Sequence, residues 1–223
     1  MPPFVSLSDP RVAALPVREC GEPLVDLRET GALRIDARLA DERGAHAHVR
    51  LSIADLLVAA QCQLPRGLRL LLIEGYRPPS LQERYFASSM SRIAKANPNW
   101  STERLHGEAA TYVAPPDVAP HVAGGAVDLT LCTVDGVELP MGTEVNATPP
   151  EHGKECFTAS AEIDAEARAN RTMLIDAMTS TGFVNYPSEW WHWSYGDRYW
   201  AFVTGAGHAR YGPATLEPTR QST

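Results

Sequence analysis

The stretch that decides the fold is His121-Val-Ala-Gly-Gly-Ala-Val-Asp128, which runs directly into Leu129-Thr130-Leu131. Large apolar residues alternate with polar ones along its second half, and this period of two predicts a β-strand with one face in the core. Asp128 would then stand on the opposite face. Because two glycines separate it from His121, the chain can fold back and bring the imidazole to the carboxylate.

A second stretch far downstream, Glu189-Trp-Trp-His192, offers another imidazole and another carboxylate. In a regular strand, residues three apart face opposite sides of the sheet. Glu189 and His192 can therefore share a site only if Pro187-Ser188 leaves Glu189 in a bend, or if the strand bulges. The sequence leaves both options open.

Each of these side chains also has an ordinary structural interpretation, as a hydrogen-bonded histidine, a turn aspartate or an edge glutamate. The combination of His-x6-Asp with a distant Glu-x-x-His is more specific than its parts. Two imidazoles and one carboxylate are the ligands of a catalytic zinc site, which keeps a fourth position open for water. We expect one Zn²⁺ per chain on His121, Asp128 and His192, with Glu189 as the general base.

The composition is that of one globular domain, with 223 residues of which 44% are hydrophobic. A formal net charge of -7 offers no basic surface to nucleic acid. No run approaches the roughly 18 apolar residues of a membrane span, and the N-terminus lacks the pattern of a secretory signal. We expect a cytoplasmic protein that binds neither nucleic acid nor membrane, with a core at about 34–203, an N-terminal extension at 1–33 and a tail at 204–223.

The four cysteines form no Cys-x-x-Cys pair, and in a cytoplasmic protein reduced thiols are expected. A disulfide is the first alternative, and metal ligation by cysteine is the second. These residues are Cys20, Cys62, Cys132 and Cys156.

Periodicity and capping residues predict three helices and a buried strand. The helices run from Ser52 to before Pro65, from Ser80 to about Ala96, and from about Ala165, capped by Asp164, to Ser180. The strand, Leu68 to Glu74, leads into Gly75-Tyr76-Arg77-Pro78. An arginine held by glycine and proline at the end of a strand suits an oxyanion donor, although a surface arginine in a turn is the alternative.

Four further segments have weaker patterns. We expect a long loop at 97–120 containing a solvated His106, and a solvated loop rather than a metal pair around His46 and His48. Glu189 to Ser194 and Tyr199 to Val203 are expected to form a hairpin. The tail after Gly205 is expected to be frayed.

The motifs together resemble the VanX-type D-alanyl-D-alanine dipeptidases, a zinc D,D-peptidase family that shares its fold with the hedgehog signalling domain. The resemblance runs from about Arg34 to Phe202. The motifs that carry it are Glu74-Gly-Tyr-Arg-Pro78, His121-x6-Asp128-Leu-Thr-Leu131, Pro140-Met-Gly142 and Glu189-Trp-Trp-His192.

This resemblance implies an α+β fold, in which helices pack against a small, mostly antiparallel sheet. It implies that His121, Asp128 and His192 hold zinc and that Glu189 is the general base. It also implies that Arg77 stabilises the transition state. Tyr76, in the same motif as Arg77, and Asn146 are candidate substrate-binding residues.

The chain departs from the family pattern at two positions. Ala119 replaces a serine two residues before the first histidine. Asn146 replaces an aspartate that binds the ammonium group of the substrate in the family, and a neutral amide cannot form that ion pair. The expected function is zinc-dependent hydrolysis of a small D-amino-acid dipeptide such as D-Ala-D-Ala. The alternatives are a zinc carboxypeptidase or amidase acting on a peptidoglycan fragment or specialised metabolite, and a non-catalytic zinc-binding module.

Overall fold

The structure is a computed structural model that describes residues 5–147 and 152–217. Its main sheet has five strands: β2 (Arg34–Ile35), β4 (Leu68–Glu74), β5 (Ala126–Thr133), β6 (Val184–Tyr186) and β7 (Glu189–Ser194). Their spatial order is β2-β4-β5-β7-β6, and only β2 and β4 are parallel. A small second sheet pairs β1 (Leu24–Asp26) with β3 (His48–Arg50) in antiparallel fashion. The expected α+β fold with a mostly antiparallel sheet is confirmed.

The described residues form six α-helices: α1 (Pro10–Ala13), α2 (Leu51–Gln63), α3 (Pro79–Ala96), α4 (Thr102–Tyr112), α5 (Ala165–Ser180) and α6 (Arg198–Thr204). Short 3-10 turns occur at Leu27–Glu29, Ala45–Ala47 and Pro120–Ala123. Within the described ranges, none of these helices combines the length and the apolar character that crossing a membrane requires.

One face of the sheet is covered by α2 and α5. Leu57 of α2, Leu174 of α5, Leu129 of β5 and Trp191 of β7 belong to the same buried cluster. Since side chains alternate along a strand, Asp128 points to the other face. The strand at Leu68–Glu74 and the period of two in β5 are confirmed, and Asp128 lies on the face of the sheet that is turned away from α2 and α5.

The predicted helices are present, but two of them begin one residue before the predicted starts at Ser52 and Ser80. Helix α2 begins at Leu51, and the hydroxyl of Ser52 donates to Glu22 instead of capping the helix. Helix α3 begins at Pro79, so Ser80 lies inside its first turn. Proline suits that first position, since its missing N–H would have no partner there. The cap of α5 is confirmed, as Asp164 accepts from the Ala167 N–H at 2.7 Å.

The expected loop at 97–120 was wrong for its first half, where α4 forms. Ser101 caps this helix, and Ala109 packs with Phe86 and Ile93 of α3 in a separate small core. His106 is exposed as expected, but it lies on the helix with its ring edge-on to Phe86, centroids 4.9 Å apart. The apolar residues of this stretch gain burial only against α3, so the local pattern was too weak to indicate a helix.

The expected hairpin partner of Glu189–Ser194 was also wrong. Residues 198–204 form helix α6, whose N-terminus is capped by Asp197 accepting from the Trp200 N–H at 2.8 Å. Strand β7 pairs instead with β5 and β6. The aspartate cap outweighs the strand propensity of the aromatic residues that follow it.

The tail is not frayed through residue 217, because Ala209, Tyr211 and Ala214 are buried. The buried Arg50 joins both ends of the chain, donating to the Glu22 carbonyl and, at 3.0 Å, to the Gly212 carbonyl. Residues 1–4 and 218–223 of the expected extension and tail lie outside the described residues.

His46 and His48 do not lie in a solvated loop. His46 is buried in the 3-10 turn Ala45–Ala47, and His48 is half-buried at the start of β3. The four cysteines are all within the described ranges and unpaired, which confirms the expected free thiols.

The two glycines of the opening stretch have different roles. Gly124 has a φ of 65°, a left-handed conformation that ends the 3-10 turn and starts the approach to β5. At Gly125, an added Cβ would lie 2.9 Å from the Tyr195 carbonyl oxygen. Only glycine therefore lets β5 and the end of β7 approach this closely.

We expect Gly125→Ala to lower the free energy of unfolding by about 1–3 kcal/mol, because the added methyl group must displace backbone. Gly107→Ala is the matched control, since its Cβ would enter open space on α4. That change should raise stability by up to about 1 kcal/mol. Urea denaturation of both variants measures this, and a Gly125→Ala protein as stable as wild type would contradict the packing argument.

Candidate active site

Three buried side chains from separate elements converge on one point of the sheet. His121 comes from the turn Pro120–Ala123, Asp128 from β5 and His192 from β7. The His121 Nε2 and His192 Nδ1 atoms lie 3.3 Å and 3.0 Å from Asp128 Oδ1, and 3.2 Å from each other. One donor atom from each residue thus lies within 4.8 Å of the other two.

Strand pairing and hydrogen bonds set the orientation of each ring. Asp128 and His192 are directly opposite in the antiparallel pair of β5 and β7, which places their side chains side by side. The Nδ1 atom of His121 lies 2.7 Å from the Gly75 carbonyl, to which it can only donate. This leaves the Nε2 lone pair of His121 facing Asp128. On His192, Nε2 lies 3.4 Å from Ser194 Oγ, while Nδ1 faces the cluster.

The electrostatics of the cluster favour an ionised carboxylate. Burial acts to raise the pKa of Asp128, but the two imidazoles outweigh it and hold that pKa far below its usual range. Burial acts to lower the pKa of His121, and the Asp128 carboxylate overcomes this and raises it. A positive charge at the centre of the cluster is therefore stabilised, whether it comes from a proton or from a metal cation.

Glu189 lies next to the cluster, with Oε2 at 3.9 Å from His192 Nδ1. The strand bulges to allow this. Asn185 of β6 is opposite Trp193, whereas the next residue, Tyr186, is opposite Glu189, so the register skips three residues of β7. Of the two options that the sequence left open, the bulge is the one observed.

The Glu189 carboxyl has an unusual pKa for a side chain that is 30% exposed. Burial raises the pKa to about 7, with the neighbouring carboxylate of Asp128 adding to the rise and His192 opposing it. A carboxyl group with a pKa near neutrality can both accept and return a proton, as a general base must.

Arg77 follows β4 and is held from two sides. Its guanidinium donates to both carboxylate oxygens of the buried Glu74, with Nε at 2.8 Å, and to Gln82 Oε1 at 2.7 Å. Its main-chain N–H donates to the His121 carbonyl, which fixes it beside the cluster. Burial acts to lower the pKa of Arg77, but the Glu74 carboxylate raises it, so the charge is permanent. The three side-chain donors named here leave two of the five guanidinium N–H groups for another acceptor.

The two candidate substrate-binding residues lie in different environments. Tyr76 is buried, and its hydroxyl donates to the Ala214 carbonyl at 2.8 Å, which gives the ring a packing role against the C-terminal segment. Asn146 is exposed in a turn and has a φ of 66°, which asparagine tolerates better than most residues.

Several residues that support the site were given no role from the sequence. Glu74 appears in the quoted motif, and its spacing of three from Arg77 was the one local signal of an ion pair. Gly75 contributes only its carbonyl oxygen, for which no sequence signal exists. Asn185 donates from its amide to the carbonyls of Glu189 and His192, at 3.1 Å and 3.0 Å. That contact depends on the bulge and could not be read from spacing.

The donor set fits a borderline divalent cation. Two imidazole nitrogens and one carboxylate oxygen are the ligands that zinc takes in catalytic sites with an open position. If a metal were absent, the close approach of His121 Nε2 and His192 Nδ1 would require a proton on one of the two nitrogens, because two lone pairs facing each other repel. A cation at the centre removes that requirement, since both lone pairs would then face it.

Comparison with known proteins identifies the family of the chain. The Peptidase M15 family model, described as D-ala-D-ala dipeptidase, matches residues 39–204. The D-alanyl-D-alanine dipeptidase of Synechocystis sp. is 25% identical over 226 aligned residues, covering 87% of this chain and 90% of the relative. That of Enterococcus faecalis is 34% identical over 146 residues, covering 61% and 69%.

Among solved structures, the LD-carboxypeptidase LdcB is similar with a TM-score of 0.46 and 21% identity, covering 83% of this chain and 73% of that one. The family match covers most of the chain and includes all three residues of the histidine–aspartate cluster, Glu189 and Arg77. The chain therefore belongs to the Peptidase M15 family of D-Ala-D-Ala dipeptidases and is a metallopeptidase.

Proposed function

We propose that this protein is a zinc-dependent dipeptidase that hydrolyses a small D-amino-acid dipeptide such as D-Ala-D-Ala. One Zn²⁺ would be held by His121, Asp128 and His192. The observation that supports this most is the convergence of one donor atom from each residue within 4.8 Å, with the Glu189 carboxylate 3.9 Å from one of them. When bound, zinc supplies a Lewis acid that polarises a carbonyl oxygen and acidifies a water molecule.

Glu189 would act as the general base. Its carboxylate lies on the rim of the cluster, partly exposed, where a water molecule and a peptide bond can reach it. It would take a proton from the attacking water and deliver it to the amine of the leaving D-amino acid. Its pKa of about 7 suits this exchange, because a base works best when its pKa is near the operating pH.

Arg77 would stabilise the negative charge that develops on the carbonyl oxygen. Glu74 and Gln82 hold the guanidinium in one orientation, so it does not have to reorganise as the charge forms. A preorganised donor of this kind is worth roughly 3 kcal/mol in the transition state. Glu189 and Arg77 also argue against a non-catalytic zinc module, since a purely structural zinc needs neither a base nor an oxyanion donor.

Asn146 supports a second candidate function, in which the same zinc-dependent hydrolysis cleaves the amide bond of a different substrate. A neutral side chain cannot pair with the free ammonium group of a dipeptide, and a desolvated charge pair is worth several kcal/mol. The candidate substrates are then a peptidoglycan fragment or a specialised metabolite in which that amine is acylated. The enzyme would be a zinc carboxypeptidase or amidase.

The first prediction concerns the metal. The wild-type protein should bind one zinc, and Asp128→Asn should weaken zinc binding by more than about hundredfold. Mutating a residue that only supports a metal ligand already lowers metal affinity about 10–100-fold, and Asp128 would be a ligand itself. Competition with a chromogenic chelator measures the affinity. Asp135→Asn changes an exposed aspartate in the same way and is the control. Wild-type affinity in the Asp128→Asn protein would exclude this ligand set.

The second prediction separates the base from the ligands. Glu189→Gln should keep zinc affinity but lower kcat by about 10²–10⁴, since the amide cannot accept the proton. The rate of D-Ala-D-Ala hydrolysis and the chelator competition are measured on the same preparation. Glu144→Gln, an exposed glutamate, serves as the control. Undiminished turnover would mean that another group is the base.

The third prediction concerns specificity. Asn146→Asp should raise kcat/KM for D-Ala-D-Ala relative to N-acetyl-D-Ala-D-Ala by about tenfold. A desolvated ion pair is worth several kcal/mol, and we expect only part of that gain because position 146 is exposed. Asn99→Asp makes the same chemical change at another exposed position and should leave the ratio unchanged. If wild type already prefers the free dipeptide and Asn146→Asp changes nothing, then the second candidate function is wrong.

A further inference from the structure

The bulge in β7 removes regular hydrogen-bond partners from main-chain carbonyls beside the site. Three residues of β7, numbers 190–192, are passed over in the register with β6. Main-chain carbonyls in a bulge lose their regular ladder partners. A buried carbonyl that is left without a hydrogen-bond donor costs about 1–3 kcal/mol. Glu189 directly precedes this segment, and His192 is its last residue.

One side chain satisfies the carbonyls at both ends. The Nδ2 atom of Asn185 lies 3.1 Å from the Glu189 carbonyl oxygen and 3.0 Å from the His192 carbonyl oxygen. A primary amide has two N–H donors, and each is used once. The two carbonyl oxygens are therefore bridged by one nitrogen atom, which keeps them close together.

The orientation of that amide is set by a residue from another part of the chain. Asn185 Oδ1 lies 2.5 Å from the hydroxyl of Thr158, which donates to it. The main-chain N–H of Thr158 also donates to the Pro187 carbonyl at 3.0 Å, so Thr158 itself is docked on the connection between β6 and β7. With Oδ1 accepting from Thr158, Nδ2 must face the bulge.

We propose that Asn185 is a positioning residue that holds the general base Glu189 and the metal ligand His192 at the spacing the reaction needs. It touches neither metal nor substrate and acts through the two carbonyls. Strand β5 pairs with β7 only around His192, at Ala126–Asp128, so near Glu189 the strand is held by β6, by the Trp190 N–H that donates to the Cys156 carbonyl, and by the Asn185 amide. Of these contacts, the amide is the one that reaches both Glu189 and His192. This inference rests on the proposed zinc dipeptidase function.

Asn185→Asp removes both donors at nearly constant size, and its carboxylate would repel the two carbonyls. We expect kcat for D-Ala-D-Ala to fall about tenfold to hundredfold, since a displacement near 1 Å can cost that much, while KM changes less than about twofold. Zinc affinity of the metal-free protein, measured by chelator competition, should fall about tenfold because His192 is less well held. Thr158→Val, which keeps the amide but removes its orienting hydroxyl, should show a smaller loss in the same direction.

Asn97→Ala is the matched control, because its Nδ2 also donates to a main-chain carbonyl, that of Ile93, at the end of α3. It should leave kcat and zinc affinity unchanged. If Asn185→Asp does not fold, Asn185→Ala and Thr158→Val decide the question.

The outcomes are distinct. If the Asn185 variants unfold at a lower temperature but keep wild-type kcat and zinc affinity, then Asn185 has only a structural role. That result would overturn this inference and leave the proposed function intact. A wild-type protein that neither binds zinc nor hydrolyses the dipeptide would overturn the proposed function and this inference together.

Discussion

The antiparallel pairing of β5 with β7 is the constraint on which the site depends. It places Asp128 directly opposite His192, although the two residues are 64 positions apart in the chain. A slip of one residue in this register would turn His192 to the other face of the sheet, into the core beneath α2 and α5. The turn ending at Gly124 then brings His121 to the same point, and the absence of a Cβ at Gly125 permits the close contact with the end of β7.

Two of the buried carboxylates around this point are each paired with cationic or imidazole side chains. Asp128 is stabilised by two imidazoles, and Glu74 by the guanidinium of Arg77. Among the described residues, the ion-pair contact recorded for Glu189 is the longer one to His192 Nδ1 at 3.9 Å, and burial beside Asp128 raises the pKa of Glu189. The two carboxylates near His192 thus differ in kind, one held ionised and one able to exchange a proton. This difference follows from the position of each carboxylate. At Asp128 the attraction of the two imidazoles outweighs desolvation, whereas at Glu189 desolvation outweighs the attraction of His192.

The segment after β5 is tied to the same strand. The indole N–H of Trp190 donates to Thr143 at 2.8 Å, and its main-chain N–H donates to the Cys156 carbonyl. Arg171 of α5 holds this segment from beneath, donating to the carbonyls of Met141 and Phe157 at 2.7 Å each. The segment that contains Asn146 is thus anchored to the strand that contains Glu189 and His192.

The sequence by itself determined the fold class, the buried strand β4, the helix α5 and the residue types of the site. These follow from local periodicity, capping and motif spacing, which act over a few residues. It failed for α4 and α6, where burial against α3 in one case and the Asp197 cap in the other outweighed weak local patterns. It also gave no role to Gly75, Ser194 or Asn185.

Only the tertiary structure decided that Glu189 and His192 share a site, because the bulged pairing of β7 with β6 and the pairing of β7 with the distant β5 cannot be read from the sequence pattern. Contacts between residues far apart in the chain leave no periodic signal in the sequence, so they become visible only when the strands are paired.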